Sequence, residues 1–297
     1  MGVLAGLVAA LAWTVASSLW RSLSTSLSSL QLNGLKNAIA CLLLLPVLIA
    51  VPWQHQPTAW LMLLLSGAIG IAAGDSFYIG ALRRLGTRRT LTVEALAPLL
   101  AAISGLVWMG EDLGLLTWSG ATLVSLSVVI VARQRPPTQT AGRDRGQQAQ
   151  ALGLVLALMA VICGVGGAAL SRSVLLSAAV QPIQSSAVRL LGGLVCLLPW
   201  LFGSRGWPWH RQERAGPWPK QRRWLRVMTA TVLGTNLGIL LQQEVLQRLP
   251  LAVAVTLLST APVMALLVAS QEGDHPRAAG VAASLLAVTG VAMAVLD

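Results

Sequence analysis

Two carboxylates stand where carboxylates are costly. Asp75 and Glu94 lie inside apolar runs, eleven positions before and eight positions after a polar turn at residue 86. At 1.5 Å rise per residue both sit roughly 12–16 Å from that turn, at comparable depth on adjacent antiparallel helices. A charge in hydrocarbon costs about 2.5–3.5 kcal/mol on the insertion scale, so each must be protonated, paired with a cation or hydrated by a pathway. A carboxyl held this way can take up and release a proton. The competing structural arrangement pairs Glu94 with Arg88 or Arg89, and Asp75 with Lys36.

Other polar side chains within apolar runs fall on shared helix faces. Trp13 and Ser17 are spaced i, i+4; Asp75 and Tyr78 i, i+3; Thr90 and Glu94 i, i+4; Asn236 and Gln243 i, i+7; Thr256 and Ser259 i, i+3. Polar groups surviving in such runs line cavities or join helices. Trp13, Ser17, Asp75, Tyr78, Glu94, Asn236, Gln243, Thr256 and Ser259 are therefore the candidate pathway residues. Lys36 and Arg189 lie within two turns of a segment end, where long basic side chains reach the interface, and read as anchors. Pro98 and Pro262 fall near the middle of apolar runs, where each deletes a backbone hydrogen bond and leaves a kink.

No catalytic or metal constellation accompanies these residues. Cys41, Cys163 and Cys196 lie in apolar runs without CxxC spacing or a neighbouring histidine, and His55, His210 and His275 lie in polar connections. Neither a disulfide framework nor a zinc site follows. Walker A, His-Glu-x-x-His and Gly-x-Ser-x-Gly patterns are missing from the sequence, so no enzymatic activity, ATP-driven step, cofactor or metal is expected.

The elements that must position these residues are membrane helices. Of 297 residues 55% are apolar and 10% charged, against about 25% charged in soluble domains; a typical soluble enzyme is excluded. A span of the roughly 30 Å hydrocarbon core needs about 20 apolar residues. Ten segments qualify: 2–20, 33–51, 59–82, 89–109, 114–132, 151–170, 183–202, 224–246, 249–270 and 278–296. The first lacks a basic n-region, since Arg21 follows it, and reads as a retained span rather than a signal peptide. Ten of the 11 tryptophans lie at segment ends or in the basic 203–223 connection, as an interfacial belt requires; Trp13 is the exception.

The formal charge of +11 is carried by short connections, where anionic lipid is a nearer partner than nucleic acid. Eighteen of the 21 basic residues fall on the face reached after segments 1, 3, 5, 7 and 9. That face is expected to be cytoplasmic, with both termini outside and the chain multi-pass in the inner (plasma) membrane.

The chain also repeats itself. An offset of 164 pairs Gly70 with Gly234, Gly74 with Gly238, Leu82 with Leu246, Arg84 with Arg248, Leu85 with Leu249, Thr92 with Thr256, Ala97-Pro98 with Ala261-Pro262, and Ala101 with Ala265. A shifted echo relates Lys36–Pro46 to Arg189–Pro199. Five helices per unit is an odd number, so the second copy enters the membrane from the opposite face. This is the inverted-topology arrangement common in secondary transporters. The expected fold is all-α and integral to the membrane, ten helices in two inverted five-helix repeats: 1–132, a polar cytoplasmic linker 133–150, and 151–297. Gly70-x-x-x-Gly74 and Gly234-x-x-x-Gly238 are small-residue faces that let helices approach closely.

The stretches Gly74-Asp75-Ser76-Phe77-Tyr78, Ala81-Leu82-Arg83-Arg84-Leu85-Gly86, Glu94-Ala95-Leu96-Ala97-Pro98 and Gly110-Glu111 resemble the EamA-type half-repeat of the drug/metabolite transporter superfamily. The second copy, Leu246 through Ala261-Pro262 to Glu272, is similar but has Ile239 and Leu258 where the first has Asp75 and Glu94. The resemblance covers nearly the whole chain. It implies an inner-membrane secondary carrier of small organic metabolites or drug-like solutes, often an exporter; the candidate coupling proton comes from the membrane carboxylates Asp75 and Glu94, not from the resemblance. Two alternatives are weaker. A lipid-modifying membrane enzyme needs a reactive interfacial cluster, and the acidic pair Glu111-Asp112 has no histidine beside it. An accessory subunit without transport leaves the membrane carboxylates unexplained. Substrate, direction and oligomeric state are not encoded in these patterns.

Overall fold

The computed structural model describes residues 1–21, 27–85, 87–133, 147–202, 220–261, 263–264 and 278–297 and contains no strand among them. Its elements are α1 (Gly2–Arg21), α2 (Ser29–Leu43), α3 (Leu45–Ala50), α4 (Pro57–Gly67), a π-helical segment (Ala68–Gly74), α5 (Asp75–Leu85), α6 (Thr87–Glu94) and α7 (Ala97–Met109). There follow α8 (Leu115–Arg133), α9 (Gln147–Ser177), α10 (Pro182–Phe202), α11 (Lys220–Thr231), a second π-helical segment (Val232–Leu237), α12 (Gly238–Arg248), α13 (Leu251–Leu258) and α14 (Ala278–Leu296).

Among the described residues six continuous helices are long and apolar enough to cross a membrane: Gly2–Trp20, Pro57–Leu85, Gln150–Ser177, Pro182–Leu201, Arg222–Arg248 and Ala278–Leu296. Ala97–Met109 and Leu115–Ile130 are apolar but shorter. Large apolar side chains point outward along these helices, among them Leu61, Val107, Leu115, Val155, Leu285 and Val288. Such a surface is stable against lipid and unstable against water.

Proline explains why some expected spans are interrupted. The run expected over 33–51 starts earlier, at Ser28, whose side chain forms a capping box with Gln31. It then breaks at Leu44, with Pro46 in the first turn of α3. The run expected over 89–109 is two helices. α6 ends at Glu94, the Ala95 and Leu96 N–H groups bond back to Leu91 and Val93, and Pro98 sits buried in the first turn of α7. Pro98 has no N–H to give, so the Glu94 carbonyl loses its helical donor, and the chain breaks there rather than bending. In the second half, α13 ends at Leu258, with Ser259 and Thr260 in a turn whose N–H groups bond to Val255 and Leu257. α6 and α13 correspond residue for residue at the offset of 164. Pro262 and most of the linker 133–150 lie outside the described residues.

Buried clusters join elements from both parts of the chain. One packs Ala40, Leu48, Trp60 and Leu63 against Val174, Val188 and Leu190. Another packs Ala101 against Val161, Val245, Leu251 and Leu257, with Val3 and Leu7 of α1 alongside. α8 and α14 cross where a Cβ on Gly290 would lie 2.7 Å from the Gly120 carbonyl oxygen, so the backbones touch directly. Trp60, expected at the interface, is instead buried, donating Nε1 to the His55 carbonyl at 2.7 Å.

Candidate functional site

Two places in the helices are under-wound in the same way, and they are related by the repeat. The π-helical segments Ala68–Gly74 and Val232–Leu237 coincide at the offset of 164. Each contains or abuts a Gly-x-x-x-Gly pair, which lets another helix come close. Gly167 of α9 meets Gly70 so tightly that a Cβ there would lie 2.8 Å from the Gly70 Cα. At the second segment the neighbour is α1, with Ala16 over Gly234 and the Trp13 indole over Gly238. π-helical turns are rare and are frequently found at functional positions, and they displace backbone carbonyls from the regular α-helical ladder.

Side chains do satisfy them. Trp13 donates Nε1 to the Gly234 carbonyl at 2.8 Å. Asn33, fully buried on α2, donates Nδ2 to the Ile71 carbonyl at 2.8 Å and to Ser76 Oγ at 3.1 Å. Asn37, one turn on, donates Nδ2 to Asn33 Oδ1 at 3.0 Å. Asn236, inside the second segment, donates Nδ2 to the Ala40 carbonyl at 3.1 Å, while its Oδ1 is buried without a partner. Thr14 of α1 donates to the Ala261 carbonyl at 2.9 Å, in the interruption after α13.

The charged residues gather beside the first segment. Asp75, at the start of α5, accepts from Lys36 Nζ of α2 at 2.5 Å, with side chains 39% and 18% exposed. Glu94, at the last turn of α6, and Tyr78, one turn along α5, lie within electrostatic reach of Asp75. Glu94 makes no ion pair or hydrogen bond among the described residues, and the Arg88 and Arg89 side chains lie outside them. Arg189 of α10 is 2% exposed, so it does not reach an interface as the sequence suggested; it donates Nη1 to Gln242 Oε1 at 3.2 Å. Lys36, likewise expected to anchor, is turned inward to Asp75.

The remaining candidates separate by environment. Gln243 is fully buried; its Oε1 accepts from Ser171 Oγ, and from Ser185 Oγ at 2.8 Å, tying α12 to α9 and α10. Thr256 is fully buried on α13 with Oγ1 unpartnered. Ser259 closes α13, and Ser17 is exposed on α1. Asn33, Asn37, Gln242 and Thr14 were missed. Asn33, Lys36 and Asn37 share a face at i, i+3 and i, i+4, a spacing that could have exposed them. Nothing in the order of residues relates Arg189 to Gln242.

A second polar cluster lies at the far ends of these helices. Glu111 Oε1 accepts from Arg172 Nε at 2.6 Å, with the side chains 12% and 9% exposed. The Glu111 carboxylate also accepts the Leu251 N–H at 2.9 Å, capping α13, while Arg172 Nη1 donates to the Leu246 carbonyl near the end of α12. Both residues line a cleft of about 270 Å³ with Trp108, Met109, Ala169 and Leu176.

Apolar helices facing outward and polar side chains turned inward onto broken helices define a multi-pass membrane protein. The model of the EamA-like transporter family matches residues 1–133 and again 151–296. The chain belongs to that family, and so to the drug/metabolite transporter superfamily. A solved structure described only as the crystal structure of a protein superposes with a TM-score of 0.74 at 20% identity, over 99% of this chain and 96% of that one, a likeness of fold. No curated protein matches the sequence.

Proposed function

We propose that the protein is a secondary carrier that moves a small organic solute by alternating access, most simply as a proton-coupled exporter of the cytoplasmic membrane. The observation that carries this is the pair of π-helical segments at equivalent positions of the repeat, each packed on a helix from the other half of the chain. Two equivalent broken elements facing one another can exchange conformations, which opens one site alternately to either side. The arrangement is ten spans in two inverted five-helix units, residues 1–132 and 151–297, joined by the linker 133–150. The face rich in Arg and Lys is cytoplasmic, with both termini outside. Trp13, Ser17, Asp75, Tyr78, Glu94, Asn236, Gln243, Thr256 and Ser259 form the pathway. Asp75, held by Lys36, and Glu94, with no partner among the described residues, are the proton-exchanging pair.

Purified protein in liposomes, tested against a metabolite panel under imposed pH gradients, decides the matter. At least one solute moves with the gradient. Asp75→Asn or Glu94→Gln leaves pH-independent exchange while abolishing gradient-driven accumulation. If no solute moves under any gradient the carrier reading fails, and if both variants keep normal pH-dependent transport the carboxylates are structural. A cytoplasm-only fluorescent reporter fused at Asp297 stays dark; fluorescence there refutes the topology.

A further inference from the structure

Among the described residues three basic side chains of the helices pair with carboxylates, and the deeply buried Arg189 is not one of them. Lys36 pairs with Asp75, Arg172 with Glu111, and Arg248 with Glu244. Arg189 is 2% exposed and makes no ion pair among the described residues. Among the described residues its guanidinium makes one hydrogen bond, from Nη1 to the neutral Gln242 amide, and its Nε is buried without a partner. Nη2 lies against the first π-helical segment, 3.3 Å from where a Cβ on Gly70 would stand. The carboxylate within electrostatic reach, Asp75, is already bonded to Lys36 at 2.5 Å. A guanidinium buried in a membrane helix without a counter-ion is strongly unfavourable unless a ligand supplies the anion. Its planar fork suits a carboxylate, which takes two parallel N–H donors. Gln242 follows Gly238 by one helical turn, and Gly238 carries the Trp13 indole. The Trp13 ring thus lies about one helical turn along α12 from the residue that meets the Arg189 guanidinium.

We propose that Arg189, with Gln242, is the anion subsite of the carrier, and that the solute is a small organic monoanion whose carboxylate docks on the guanidinium while its apolar body lies toward Trp13. This rests on the carrier reading and narrows its substrate class. The alternative, that Arg189 is a purely structural cation, predicts no anion binding.

The test is thermal unfolding of the full-length protein in detergent with four matched probes: benzoate, neutral benzamide, cationic benzylamine and sodium chloride. Benzoate raises the melting temperature in a saturable way and the other three do not. Arg189→Gln weakens benzoate binding roughly tenfold or more, as loss of a charge-assisted hydrogen bond requires. Gln242→Glu supplies an internal counter-ion, raises the melting temperature of the free protein and abolishes the benzoate shift; it decides the question if Arg189→Gln does not fold. The proposal is overturned if benzoate does no more than benzamide, benzylamine or chloride, or if its shift survives in either variant. A neutral or cationic solute carried in the metabolite panel, with no benzoate binding, overturns this inference and leaves the carrier reading standing. Benzoate binding with no solute transported does the reverse.

Discussion

Replacing Glu111 by alanine tests whether the far polar cluster holds the two halves together. Its carboxylate meets two demands at once, the Arg172 guanidinium at 2.6 Å and the Leu251 N–H at 2.9 Å, in a pair with side chains only 12% and 9% exposed. Little water is available to replace it. Removing one partner of such a buried pair costs about 3–5 kcal/mol, because the other charge stays buried and unanswered. Arg172→Met is expected to cost a similar amount. The double variant removes both charges and recovers most of the loss, since apolar replacement of a whole pair is close to neutral. The measurement is reversible unfolding in mixed micelles by titration with sodium dodecyl sulfate, followed by circular dichroism, as a full double-mutant cycle. The reasoning is refuted if Glu111→Ala unfolds within about 0.5 kcal/mol of the parent, the range of an unremarkable surface change. It is equally refuted if the double variant is as unstable as the sum of the singles.

Gly120→Leu places a branched side chain where α8 and α14 backbones touch, and overpacking there costs about 1–3 kcal/mol or more; a melting temperature equal to the parent's contradicts the crossing. Trp13→Phe keeps an aromatic ring over Gly238 but removes the donor to the Gly234 carbonyl, so stability falls by about 0.5–1.5 kcal/mol, and hydrogen exchange at the second π-helical segment accelerates; unchanged exchange there would show that the indole bond does not hold the segment. Asp297 accepts from Thr117 Oγ1 at 2.7 Å, and that bond holds its carboxyl below the usual carboxylate range. A depressed folded-state pKa means the contribution is present above the unfolded pKa and is lost as pH falls through the folded one. The melting temperature therefore drops slightly on acidification through the carboxylate range, and Thr117→Ala removes that component of the pH dependence; an identical pH profile in the variant argues against it.

Much of this molecule was written in residue order. Apolar runs of about 20 residues reveal membrane helices because hydrocarbon accepts nothing else. The Gly-x-x-x-Gly pairs at an offset of 164 marked in advance faces where helices approach closely, and Ala97-Pro98 marked a place where a helix is interrupted. Pro98 is legible as an interruption because a missing N–H acts locally, on the carbonyl four residues back. Asp75 and Glu94 stood out because their cost depends on depth in the membrane, which counting from a turn supplies.

What the order of residues left open was partnership. Whether Asp75 stands alone or is answered by Lys36, and whether Arg189 reaches an interface or is sealed in beside Gln242, depends on which helices become neighbours. That choice is made by packing between small residues, such as Gly70 on Gly167 and Gly120 on Gly290, over separations of roughly a hundred residues or more. The π-helical form of the two segments was equally illegible. In each of them a donor from another helix takes a backbone carbonyl, Asn33 that of Ile71 and Trp13 that of Gly234. Chemistry that acts within one turn can be read along the chain; charge balance and the satisfaction of displaced carbonyls are settled only when distant helices meet.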